Sequence, residues 1–230
     1  MKRIVAVILA VIMLIFSFSL PSFALVQGDF IYEMDGETAV ITAYTGTATS
    51  LVIPAKLNGI AVSKIGDSAF KGNTVLSSVT VSSGIENIGT SAFENCTSLA
   101  TITLPTTITH IGEKAIYITA YYNNKSNWKP KNTAGGNSTD SWISWEDIGA
   151  PVLDYLYLDK NLIEIELVGI YSVKSGTRVI ADGAFKGNNG ATSVTLPTSI
   201  MTIGSNCFEG CSSLTKIKNL NLVEIGRAHV

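Results

Sequence analysis

The chain repeats itself every 23 residues. The stretches SKIGDSAFKGNTVLSSVTVSSGIEN (63–87), ENIGTSAFENCTSLATITLPTTITH (86–110) and MTIGSNCFEGCSSLTKIKN (201–219) align position by position. One isoleucine marks the phase: Ile65, Ile88 and Ile111 lie 23 residues apart, Ile180 and Ile203 do the same, and the gap between Ile111 and Ile180 is 69, three periods. A phenylalanine follows at a fixed offset in Phe70, Phe93, Phe185 and Phe208. A unit this short cannot bury its own apolar residues, so copies must stack and share a core along one axis.

Within a period the apolar positions keep constant phase, as in Ile65, Phe70, Leu76, Val79 and Val81, then Ile88, Phe93, Leu99, Ile102 and Leu104. Triplets such as Val79-Thr80-Val81, Ile102-Thr103-Leu104 and Val194-Thr195-Leu196 alternate inward and outward, as half-buried strands do. Asp67, Thr90 and Ser205 stand where a side-chain oxygen caps a short helical turn. The expected fold is a repeat solenoid of short strands and short helical or 3-10 turns, with one irregular insertion.

These residues resemble the BspA-like leucine-rich repeat family, whose pattern is IGxxAFxxCxxLxxVxxPxxVxxIG. The match covers 63–116 and 171–223, after a divergent lead-in at about 25–62 that is also similar to the family's usual first segment. The resemblance implies an adhesin-like role on a bacterial surface and an aromatic insert with a structural purpose. Ala191 in a Leu slot, Cys207 in an Ala slot and Asn219 in a Val or Leu slot depart from the pattern, so those coils are expected to be looser. Repeats run over 63–116 and 169–223, with an aromatic and polar insertion at 117–168.

The two ends read differently. Lys2 and Arg3 precede an apolar run from Ile4 to Phe16, and Ser22 and Ala24 form a small-residue cleavage site, so residues 1–24 are expected to be a secretory signal peptide. The run is too short for a bilayer span. After cleavage no membrane span is expected in the residues present, and the product is expected to be secreted or held at the cell surface. At the other end EIGRAHV is a poor copy of the repeat and resembles the translation of a common short-read sequencing adapter, so residues 224–230 are expected to be non-native read-through, the alternative being a degenerate final coil.

Composition narrows the function. Charged residues make up 15% of the chain, and loss of Lys2 and Arg3 takes the formal net charge from −2 to −4, leaving nothing basic to draw nucleic acid. Cys96, Cys207 and Cys211 are too few for a disulfide scaffold. The four-residue spacing of the last two suits a metal pair, but no His or carboxylate set completes one, and buried thiols are the simpler reading. His110 and His229 are the two histidines, and no acid/base pair, nucleophile motif or phosphate-binding loop is evident. No enzyme, metal or cofactor is expected.

Two surfaces remain as binding candidates. One is the set of aromatics in the insertion, Tyr121, Tyr122, Trp128, Trp142 and Trp145, against which a sugar ring or a protein partner stacks; the alternative is that they pack the insertion onto the solenoid. The other is the outward stripe on the strands, Thr80, Thr103 and Thr195, with Ser78, Thr101 and Ser193 beside it. The expected partner is a surface protein of a host or neighbouring cell, matrix or glycan. The reading favoured is a non-catalytic recognition module; a targeting region of a larger polysaccharide-acting enzyme and a structural spacer are the alternatives.

Overall fold

The structure, a computed structural model, describes residues 24–124, 128–130, 152–158, 161–167, 169–220 and 224–225. Trp142 and Trp145, the expected signal peptide before Ala24 and residues 221–223 and 226–230 lie outside the described residues.

The chain coils into a β-solenoid of about six turns with a 23-residue period. An antiparallel lead-in, Leu25–Gln27, Phe30–Asp35 and Thr38–Tyr44, hands over to parallel stacking when Thr38–Tyr44 pairs with Ile60–Ile65. Each coil then contributes a face strand and a two-residue corner strand. The first face sheet stacks Ser50–Ile53, Ser78–Val81 and Thr101–Thr103; the second stacks Gly169–Ser172, Ala191–Thr195 and Lys216–Lys218. Corner strands Asn87–Ile88 and His110–Ile111 pair residue on residue, as do Val179–Ile180 and Thr202–Ile203.

Strands this short are held by what lies inside them. Ile65, Phe70, Ile88, Phe93, Ile111, Ile180, Phe185 and Ile203 are all buried, and the aromatic rings form a column. Ring centroids are 5.3 Å apart for Tyr44 and Phe70, 4.9 Å for Phe70 and Phe93 and 5.0 Å for Phe185 and Phe208, matching the 4.7–4.9 Å step of paired strands. The expected ladder is therefore present, with Phe208 at its partly buried end.

Polar groups stack with the same period. Thr107 Oγ1 donates to the Ile85 carbonyl, Ser199 Oγ to Thr177, Thr109 Oγ1 to Glu86 and Thr215 Oγ1 to Thr192, each one coil back. The slots expected to be loose are filled: Ala191 and Cys207 are fully buried, and Asn219 Nδ2 donates to the Leu196 carbonyl at 2.9 Å.

The connections differ from expectation. They are hydrogen-bonded turns rather than helical ones, because two positions per coil take positive φ: Ser68, Ser91, Lys114, Gly183 and Asn206 at the first, Gly72, Asn95, Ile118, Gly187 and Gly210 at the second. A left-handed residue ends any helix at once. Asp67 does not cap its own turn either; its Oδ1 accepts the N–H of Thr90, one coil on, and Asp182 does the same for Ser205. The helix among the described residues, Ala120–Asn123, begins at Thr119, whose hydroxyl accepts from Tyr122 N.

The irregular insertion separates two cores. An antiparallel hairpin, Val152–Leu158 and Asn161–Leu167, carries Trp128–Pro130 on its outer edge. Leu156 and Leu158 join the core that runs from Tyr32 to Ile116; Leu162 and Ile165 join the one that contains Phe185. At Asn161 and Leu162 the hairpin pairs in parallel with Val179 and Ile180 and starts the second stack.

Candidate functional site

The strand stripe is exposed and in register. Val52, Thr80 and Thr103 form one column and Ser50, Ser78 and Thr101 the next, across three paired strands. Thr80, Thr101 and Thr103 are exposed, Ser78 is half-buried, and Val52 shows 64% of its surface. Val79, Val81 and Ile102 point the other way into the core, fixing the outward direction of the threonines. On the second sheet Ser172, Thr195 and Lys218 align, beside Ile170, Ser193 and Lys216. Thr195 is half-buried there, and Ser193 Oγ is buried without a hydrogen-bond partner. The stripe is thus two separate patches, one of hydroxyls and one edged by lysines.

The insertion aromatics are placed otherwise. Tyr121 and Tyr122 are half-buried against the first core. Tyr121 donates its hydroxyl proton to the Tyr157 carbonyl at 2.8 Å, and Tyr122 to Glu164 Oε2 at 2.9 Å. The Tyr122 ring also meets Tyr117 edge-on at 5.1 Å. These two rings fasten the hairpin to the solenoid. Trp128 lies on the outer hairpin strand.

The thiols are accounted for by turns. Cys96 Sγ donates to the Phe70 carbonyl and Cys211 Sγ to that of Phe185, both at 3.0 Å. They share one repeat slot with Asn73, Thr119 and Asn188, whose side chains also close the turn after the aromatic position. Burial pushes the Cys96 thiol up to about 11 and raises Cys207 and Cys211 as well, so the nucleophilic thiolate is scarce at neutral pH.

A polar cleft that the sequence reading missed lies where the hairpin enters the stack. It measures about 540 Å³ and is lined by Glu113, Tyr117, Tyr122, Glu164, Asp182 and Lys186, among others. Lys186 sits 2.9 Å from Glu209 and 3.8 Å from Glu113. His110 is half-buried, with Nε2 3.4 Å from Asp182 Oδ2. Burial raises the Asp182 carboxyl above the usual range, and the neighbouring His110 opposes that rise. Arg178 closes the same junction by donating to the Thr106 carbonyl.

Two departures from the repeat mark this place. Ala181 stands where Gly66, Gly89, Gly112 and Gly204 stand in other coils, and a Cβ on Gly112 would lie 2.7 Å from the Gly89 carbonyl carbon of the preceding coil. The strand that underlies Ala181 is that of the hairpin, with Ala181 N donating to the Leu162 carbonyl. Ile118 takes φ 56° in a slot that is otherwise Gly or Asn.

Several solved bacterial leucine-rich repeat proteins are similar to this chain. A leucine-rich repeat protein of T. pallidum is similar at 22% identity over 88% of this chain and 84% of that one, with a TM-score of 0.46. One from Bacteroides ovatus is similar at 19% identity over 88% of this chain and 43% of that one, TM-score 0.44. A leucine rich cell surface protein of Faecalibacterium prausnitzii shows 20% identity over 87% and 77%, TM-score 0.28. No curated protein matches the chain. The BspA type leucine-rich repeat region matches in six copies across residues 43–133 and 155–228. The chain therefore belongs to the BspA-type leucine-rich repeat family.

Proposed function

We propose that this chain is a non-catalytic recognition module, secreted or displayed at a bacterial surface, that engages a surface protein, matrix component or glycan through its first strand face. The observation that carries the reading is the exposed, in-register array Val52, Thr80, Thr103 and Ser50, Ser78, Thr101. Its side chains stand on three paired strands backed by a continuous core. Such a face is already ordered before a ligand arrives, so binding loses little side-chain entropy. Hydroxyls spaced by the strand step suit a partner that presents repeated hydrogen-bonding groups, such as a polysaccharide or another protein's strand surface. Tyr121 and Tyr122 do not compete for this role, since both hydroxyls are engaged within the fold.

The test is binding of the signal-cleaved chain to arrays of bacterial and host polysaccharides and extracellular-matrix proteins, with a Thr80→Lys/Thr103→Lys double variant as comparison. Saturable binding that the variant loses, with Tm unchanged, is the expected result. Binding that survives the double change, or no binding to any surface, contradicts the assignment of this face.

A further inference from the structure

The second stack differs from the rest of the chain in charge. Residues 169–220 hold five basic side chains, Lys174, Arg178, Lys186, Lys216 and Lys218, against two carboxylates, Asp182 and Glu209, in a protein whose formal net charge is −2. The repeat sorts these groups by side. Asp182, Lys186 and Glu209 sit on the outer turns, where Lys186 is 2.9 Å from Glu209, and Arg178 is held at the junction by the Thr106 carbonyl. Lys174, Lys216 and Lys218 are left on the strand side, all three exposed. No carboxylate occurs in residues 169–181, 190–204 or 211–220.

The strands arrange these lysines around a floor of hydroxyls. Alternation turns Ile170 and Ser172, Ser193 and Thr195, and Lys216 and Lys218 to one face, in register as Ile170, Ser193, Lys216 and as Ser172, Thr195, Lys218. Tyr171 and Val194 are buried behind them. Lys174 continues the outward series two residues beyond Ser172, past the buried Val173. Lys216 and Lys218 stand about 6.6 Å apart along their strand, and that strand lies about 9.5 Å, two strand steps, from the one that leads to Lys174. Ser193 and Thr195, on the strand between, are half-buried, and Ser193 Oγ is buried without a hydrogen-bond partner. No ion pair among the described residues involves Lys216 or Lys218.

We propose that this face binds an acidic polysaccharide, a sugar chain bearing carboxylate or sulfate groups. Cations along two edges of one sheet face, with no carboxylate among them, make a positive surface on an otherwise acidic protein. The type of polymer follows from what else the face offers. Its hydroxyls match the hydroxyl and ring oxygens of a sugar chain. Among the described residues of the face no aromatic ring is exposed, as a protein anchor or base stacking requires, and lysine is depleted in the cores of protein–protein interfaces. An acid group seated between Ile170 and Lys216 gives the Ser193 hydroxyl the acceptor it lacks. The site lies on the second sheet, apart from Thr80 and Thr103, and does not rest on the reading of that first face.

The test is binding of the chain from Leu25 onward to immobilised heparin, polygalacturonate and dextran, read by surface plasmon resonance over a series of salt concentrations. Saturable binding to heparin or polygalacturonate that weakens as salt rises, with none to neutral dextran, is expected. Lys216→Gln/Lys218→Gln should weaken that binding about tenfold with Tm unchanged. Lys56→Gln/Lys114→Gln removes the same charge from exposed sites elsewhere and should leave it unaltered. Four results overturn the proposal: no binding to either acidic polymer at low salt, equal binding to dextran, equal loss in the Lys56/Lys114 pair, or tighter binding of double-stranded DNA than of either polysaccharide.

Discussion

Gly89 shows how closely the coils approach. Its φ is not in the left-handed region, so conformational freedom is not the reason for glycine; a Cβ there would lie 2.6 Å from Asp67 N and 2.7 Å from the Gly66 carbonyl carbon. Gly89→Ala must push two backbones apart, and we expect a loss of about 1–3 kcal/mol, the usual cost of overpacking, read as a shift in the denaturant midpoint. An unchanged midpoint would mean the coils are not in backbone contact there. Asp182 makes a second residue-scale prediction. Its carboxyl is raised by burial, so it favours the fold where it is protonated and loses that contribution as pH rises through its folded-state value. At pH 8 the ionised group opposes folding. Asp182→Asn keeps an oxygen for the Ser205 N–H, so its Tm should exceed the parent's at pH 8 and the gain should vanish in acid. A lower Tm for the variant at pH 8 would contradict this.

The outer turn is the element that sets the pitch. Each uses two left-handed residues, and the second is Gly72, Asn95, Gly187 or Gly210 where the stack is regular. Asn95→Ile should cost about 1–2 kcal/mol, the penalty of a β-branched side chain in that region, checked by the same denaturation experiment. Ile118→Asn should recover part of that strain at the junction. Much of this element was open to the sequence. The phase of Ile and Phe exposes the ladder because each must reach the same core from every coil, and the strand triplets follow from alternation. The turn geometry was not, since Ser68, Ser91 and Lys114 are not residues that announce positive φ. Asp67 was misread for a related reason: a repeat lets a side chain serve its neighbour 23 residues on as readily as its own turn, and spacing does not separate the two.

At the scale of the molecule the hairpin decides the architecture. The sequence marked residues 117–168 as irregular, but it did not show that Leu156 and Leu158 would join one core and Leu162 and Ile165 the other. Nor was the cleft legible as a cleft, because it arises from bonds that one coil does not make when another strand takes its place. Ala181 and Ile118 were its traces, two breaks in slots otherwise reserved for small or left-handed residues. The threonine face was legible, since outward alternation places Thr80 and Thr103 together once the coils stack in the register of one period.

The most direct test of the stacking is residue-resolved amide hydrogen exchange, under native conditions, on the chain from Leu25 onward. Protection should recur at Phe70, Phe93 and Phe185, whose N–H groups bond to the next coil, and at Ile165, which bonds across to Ala184. It should fall at Lys114, Ile116 and Ile118. Protection that runs unbroken through residues 114–118, or that shows no 23-residue recurrence, would contradict a solenoid resumed on an inserted strand.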